Sequence, residues 1–245
     1  MRGFLLTLLG TLSFTISTGQ EIPQPRSRWS FGVSGSIDRA FLTIRNGEAN
    51  PHLDRIIALR EEHESGRIGY SAGIDVSRDL GSRWSIASGL RFSDRGFRSH
   101  HSSVVIATDP VDPVLNGTSF RTDERFHYQY LSLPVMLRSN IGKGRIQFTP
   151  AIGIQADLLT AQYSMLEYQF SNASAVSEKE TDRFSDYTDL GLSACMELGV
   201  IMMIRKAWGI RFAPRACYQI TPIADTPIVG HLYEIGLALG ATYRF

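Results

Sequence analysis

The sequence predicts an all-β fold: a closed, antiparallel, up-and-down transmembrane β-barrel of about eight strands, with short periplasmic turns and long extracellular loops. Three observations predict it. Segments of roughly ten residues alternate between apolar and small or polar side chains. The connections between them are short on one side and long on the other. The chain opens with an export signal, and no later apolar run is long enough to make a membrane helix.

The N-terminus comes first. Met1-Arg2 is followed by the apolar run GFLLTLLGTLSFTIS, and then by STGQ, with Ser17 and Gly19 spaced for signal peptidase. Residues 1–19 read as a signal peptide, 20–27 as a short lead and 28–245 as the barrel domain. No cysteine lies near the cleavage region to carry a lipid anchor. The longest apolar run after it is LGVIMMI, Leu198 to Ile204. An exported chain with such short runs crosses a membrane only as a closed barrel. Charge is balanced, 25 basic against 24 acidic residues, so nothing suggests a nucleic-acid partner and none is expected.

The strands follow in order, near 28–44, 67–79, 83–98, 125–139, 145–161, 184–204, 208–221 and 232–245. In the first, Trp29, Phe31, Val33 and Ile37 oppose Ser30, Gly32, Ser34, Ser36 and Asp38. In the second, Ile68, Tyr70, Ile74 and Val76 oppose Gly69, Ser71, Gly73 and Asp75; in the third, Trp84, Ile86, Leu90 and Phe92 oppose Ser85, Ala87, Gly89 and Arg91. The fourth, HYQYLSLPVMLR, is apolar on both faces; Leu131, Leu133, Val135 and Leu137 are expected to face out, and so are Tyr128 and Tyr130, with a bulge between the two sets. The short turns fall at 79–83, 139–144 and 205–208, and the long connections at 45–66, 99–124 and 161–183. Within the first long loop, residues 50–64 have helical spacing.

The face opposite the apolar one decides which side is out. It carries Gly, Ala and Ser with spaced charges: Asp38, Asp75, Arg91, Asp157, Glu197, Arg211, Arg215, Glu234 and Arg244. A narrow lumen needs small side chains and paired charges, whereas the exterior of a soluble lipocalin-like carrier would present long polar ones. The apolar face is therefore assigned to lipid. A barrel of this size is filled by its own side chains, so the lumenal charges are expected to stabilise rather than conduct.

The hairpin centred on Lys206 sharpens the reading. Its register sets Glu197 opposite Arg215, an expected lumenal ion pair, and Cys195 opposite Cys217, the only cysteines. Opposed residues in antiparallel strands lie within disulfide reach, and an exported compartment permits oxidation. At the C-terminus Tyr243 and Phe245 are expected in the periplasmic aromatic girdle and Tyr233 near the outer one.

With these residues on the page, the chain resembles a known family. The segment HYQYLSLPVMLR is similar to the Tyr-Leu-x-Leu-Pro-hydrophobic-Leu-Arg/Lys stretch of the outer-membrane β-barrel domain common in Bacteroidetes, often called PorT-like. The echoes IQFTP (146–150) and IRFAP (210–214) and the terminal Tyr-Arg-Phe resemble it too. The resemblance implies a barrel in the outer membrane of a Gram-negative bacterium; some relatives are tied to type IX protein secretion. It supplies no catalytic pattern to carry over.

Chemistry-bearing motifs are few. His100 and His101 form the one histidine cluster; His101 with Ser103 echoes a pair used by outer-membrane lipid A deacylases, but no matching acid is evident in sequence. Adjacent histidines on a strand point to opposite faces, so they make no metal site. Residues 116–118 and 172–174 match the N-glycosylation pattern, of little weight in a bacterial chain. No cofactor and no catalytic residue is expected. The loops carry Phe120, Phe126, Tyr163, Tyr168 and Phe170, as girdle or binding aromatics. The expected role is non-enzymatic: an outer-membrane protein, exported by the Sec route and folded by the barrel assembly machinery, that contacts lipid and meets a protein partner through its extracellular loops. A narrow pore or secretion accessory is the alternative, and a lipid-modifying enzyme the third reading.

Overall fold

Strand pairing accounts for almost all of the secondary structure. The computed structural model describes residues 29–48, 50–104, 119–142, 144–170, 175–181 and 187–245. The expected signal peptide at 1–19, the lead at 20–27, the loop at 108–118 and the patterns at 116–118 and 172–174 lie outside the described residues, as do the side chains of His101, Ser103, Phe120 and Phe170.

The elements are β1 (Trp29–Asn46), α1 (Pro51–His63), β2 (Glu64–Asp79), β3 (Trp84–Arg95), β4 (Phe97–Val104), β5 (Ser119–Ser139), β6 (Ile146–Phe170), β7 (Val176–Glu180), β8 (Leu190–Met203), β9 (Trp208–Gln219) and β10 (Ile228–Arg244). All pairings are antiparallel, and they run in a ring: β1 with β2, then β3, β5, β6, β8, β9 and β10, which returns to β1. Ten strands thus make eight staves. β3 and β4 are two parts of one stave, joined at Gly96. β7 pairs only with the upper part of β6. The ring is not seamless. The β3–β5 ladder lapses at Pro134 and the β8–β9 ladder at Pro214, where the chain has no N–H to give.

Alternation explains why these segments pair as they do. Ile37 and Ile68 are 69% and 70% exposed, whereas Ser36, Asp38 and Ser71 between them are buried. Exposed apolar rows on every stave are unstable in water and stable in hydrocarbon, so the apolar face is the lipid face. Aromatics edge this band. Trp208, Tyr243 and Phe245 cluster at the turn end, with ring centroids 5.0 and 4.9 Å apart. At the other end Tyr233 stacks on Phe41 at 4.9 Å. The ten residue steps from Phe31 to Phe41 span about 25 Å along the barrel axis for tilted strands, the height of a membrane band.

Several elements differ from expectation. β4, β5 and β6 run well past the expected strand ends, so much of 99–124 and 161–183 is sheet rather than loop. Residues 121–127 and 161–169 are mostly half-buried whichever face they take, so no period-two signal marks this stretch. The strand expected from 184 begins at Leu190. The helix falls where its spacing predicts, started by Pro51 and by Asn50, whose side chain accepts from the His52 N–H at 3.0 Å.

β5 corrects the sequence reading most. Tyr128 and Tyr130 face inward, 2% and 1% exposed, not outward. Alternation along β5 is unbroken. The register slip between Gln129 and Tyr130 is taken up on β6, where Thr160 is the extra residue. The two tyrosines are apolar because they cap the lumen: Tyr128 packs with Phe97, Ile223 and Leu232, and Tyr130 lies under the Arg95 guanidinium at 5.1 Å.

Candidate functional site

The lumen is the first place to look, and ion pairs fill it. Arg215 bonds Glu234 at 2.5 Å and lies 3.7 Å from Asp38. Arg95 reaches Asp157 at 3.0 Å and Glu234 at 3.2 Å. Arg211 bonds Glu197 at 2.5 Å, and Arg91 stands 3.8 Å from Asp75 and 4.0 Å from Glu197. Asp157 also accepts from Ser132, Ser193 and Gln155. Small residues make the room. Gly236 sits opposite Asp38, and a Cβ there would strike the carboxylate.

The register sets Glu197 opposite Arg215, but they are not each other's ion-pair partners. Glu197 goes to Arg211 on the same neighbouring strand, and Arg215 turns toward the carboxylates of β1 and β10. Facing Cα positions do not decide partners for side chains this long; the tilted strands of a narrow barrel bring diagonal and cross-lumen groups closer. Cys195 and Cys217 are opposed, with Cα atoms 4.2 Å apart, and are joined as a disulfide beside Ala87, Met136 and Ala151.

The network divides two cavities. One of about 30 Å³ lies low, beside Ser34 and Arg211. One of about 260 Å³ lies high, among Leu42, Phe97, Phe126, Tyr128, Tyr187 and Ile223. On β1, Ser36 and Asp38 fall between the residues that line them.

The second place is the extension above the lipid band. Phe97 points inward into the upper cluster, so Arg98 and His100 lie on the outer face of β4. Ser65 pairs opposite Arg98, and Asp123 opposite His100. These residues form one hydrogen-bonded set. Ser65 Oγ lies 3.3 Å from His100 Nε2. His100 Nδ1 bonds the Asp123 carboxylate, which also accepts from Arg98 at 2.8 Å. Arg121 Nε lies 3.7 Å from the same carboxylate. Burial alone would raise the Asp123 carboxyl, but the bonds from His100 and Arg98 outweigh it and hold the group below its ordinary value.

Of the residues singled out in sequence, His100 belongs to this set. The partner of His101 in the ladder is Thr122. Ser65 and Asp123 carry no local motif. They stand 35 and 23 residues from His100, on other strands, and only pairing brings them together. Among the described residues no group of three or more His, Cys, Asp or Glu is arranged to hold a metal.

Comparison with known proteins follows from this architecture. No curated protein matches the chain. Among solved structures, the attachment invasion locus protein Ail of Yersinia pestis is 11% identical, with 89% of this chain and 99% of that one covered and a TM-score of 0.36. OprG, an outer membrane protein of Pseudomonas aeruginosa, is 9% identical over 89% and 97%, with a TM-score of 0.40. The outer membrane protease OmpT of Escherichia coli is 8% identical over 89% and 97%, with a TM-score of 0.36. The model of the outer membrane protein beta-barrel domain matches residues 18–223, most of the chain, and the protein belongs to that family of outer-membrane barrels.

Proposed function

We propose that this protein is a non-conducting outer-membrane barrel that acts at the cell surface through its extracellular extension. The observation that carries the reading is the lumen: Arg95, Arg91 and Arg215 with their carboxylates occupy its middle, buried and mutually paired. A pore would need that network in the open; here it holds the staves together. What distinguishes the molecule instead is β4, β5, β6 and β7 standing above the lipid band with α1 beside them. Their polar outer surface is the part a partner in the extracellular medium meets.

Export by a signal peptide at 1–19 and PorT-like kinship within the barrel family are part of the proposal, supported by the N-terminal pattern and the Tyr-Leu-x-Leu-Pro segment. The test is conductance in planar bilayers, paired with surface biotinylation of intact cells. Closed bilayers and labelled Lys179 support the reading. Steady single-channel current from purified barrel overturns it.

A further inference from the structure

We infer that Ser65, His100 and Asp123 form a nucleophilic triad on the outer wall of the extension, which hydrolyses carboxylic esters of anionic molecules. The inference goes beyond the surface-interaction reading and does not depend on it. Three strands contribute one group each: Ser65 from the start of β2, His100 from β4 and Asp123 from β5. The roles follow from the geometry. His100 Nδ1 faces the Asp123 carboxylate, with Arg121 Nη2 3.4 Å away; in the tautomer that carries the proton on Nδ1, Nε2 offers its lone pair to Ser65. Nε2 is the atom that faces Ser65 Oγ, at 3.3 Å, a separation open to the tightening that substrate brings. A buried acid, an oriented imidazole and a hydroxyl in line are the arrangement that activates a serine, and it is identified by geometry rather than by order in the chain.

Accessibility fits. The Asp123 side chain is 3% exposed, as an orienting acid should be, whereas that of His100 is 28% exposed. Ser65 comes one residue past Gly66, which lies against the Phe41 ring of the upper aromatic edge, so the site stands at the rim of the lipid band, at headgroup level. The ester is thus one presented from the headgroup zone or the medium, not one buried among acyl chains. Arg98, Arg121 and Arg125 share this outer face, and the side chains of Arg121 and Arg125 are 57% and 41% exposed. They favour an anionic substrate. Arg98, which stands opposite Ser65 in the ladder and bonds Asp123, adds positive charge beside the site.

The chemistry balances with water as the second reactant. Ser65 Oγ bonds the acyl carbon as its proton passes to His100 Nε2. The ester C–O bond breaks and the leaving alkoxide takes that proton. Water attacks the acyl-serine by the same route, the carboxylic acid departs, and Ser65 regains its proton.

The test uses the detergent-purified full chain, with heat-modifiable gel mobility read on every variant so that folding is scored separately. A fluorophosphonate probe should add to Ser65, located by peptide mass, and 4-nitrophenyl hydrogen succinate should be hydrolysed faster than neutral 4-nitrophenyl butyrate. S65A and H100Q, folded, should each lose about a thousandfold in turnover. Asp123 acts through His100 as a positioning residue: D123N should slow labelling and D123E should restore part of it, which a structural role alone would not produce. R121A should lower the preference for the anionic ester, by about fivefold at most for an exposed charge. Folded wild type with no adduct at Ser65 and turnover equal to S65A overturns the inference. So does an adduct that forms equally fast in H100Q.

Discussion

Arg215 is the most connected of the lumenal charges. It touches Glu234, Asp38, Ser36 and Ser71 from three strands. Its removal leaves Asp38 buried without its ion-pair partner and Glu234 held by Arg95 alone, and breaking such a pair is strongly destabilising. Arg215→Met should lower barrel stability by about 3–5 kcal/mol, read as an earlier loss of the folded gel band on heating. The cysteines act at the same scale and independently of charge. Their bond closes a separation of 22 residues, for which chain entropy gives about 3 kcal/mol. Unreduced, denatured protein should titrate no free thiol, and reduction should lower the unfolding midpoint without changing the pairing of the staves. Two titratable thiols would remove the disulfide from the account.

At the scale of elements, side-chain ion pairs join the strands of the extension as the lumenal network joins the staves below. Arg98, His100 and Arg121 converge on Asp123, and Arg125 bonds Glu167 at 2.9 Å to tie β5 to β6. The Asp123 carboxyl titrates below its ordinary value, so the folded extension prefers the ionised form. That stability is complete above about pH 4, the unfolded carboxylate value, and is lost as pH falls through the depressed folded value. Amide exchange in β4 and in β5 above Gln129 should accelerate on acidification below about pH 4, while the lipid-embedded staves stay protected. Asp123→Asn should exchange fast at neutral pH and lose the pH step. Gly96 is the other hinge of this element. A Cβ there would run into the Phe126 carbonyl oxygen, so Gly96→Ala should separate β4 from β5 and expose the same amides.

At the scale of the whole molecule, the apolar outside and charged inside make the fold depend on the membrane. The exposed rows of Ile37, Ile68, Ile146 and Leu239 have no place in water. The full chain should require detergent to leave the membrane fraction and should run differently on gels before and after boiling. Protein that is soluble without detergent and shows no shift would invert the two faces and make the apolar residues a ligand pocket.

The sequence by itself determined the barrel, because lipid on one side and a narrow lumen on the other impose a period of two on every stave, and that period is written locally. It determined the eight staves, the turn end, the opposition of Cys195 and Cys217, and the helix opened by Asn50 and Pro51. The tertiary structure decided what depends on residues far apart. It turned Tyr128 and Tyr130 inward, since a cluster with Phe97, Ile223 and Leu232 awaited them. It sent Glu197 to Arg211 rather than to its facing arginine, because long side chains on tilted strands reach diagonal partners on the adjacent stave. It carried β5 and β6 above the lipid band, where half-buried residues on either face leave no alternation to mark a strand. There it set Ser65 beside His100 and Asp123, three residues with no motif in common, joined only by the register of neighbouring staves.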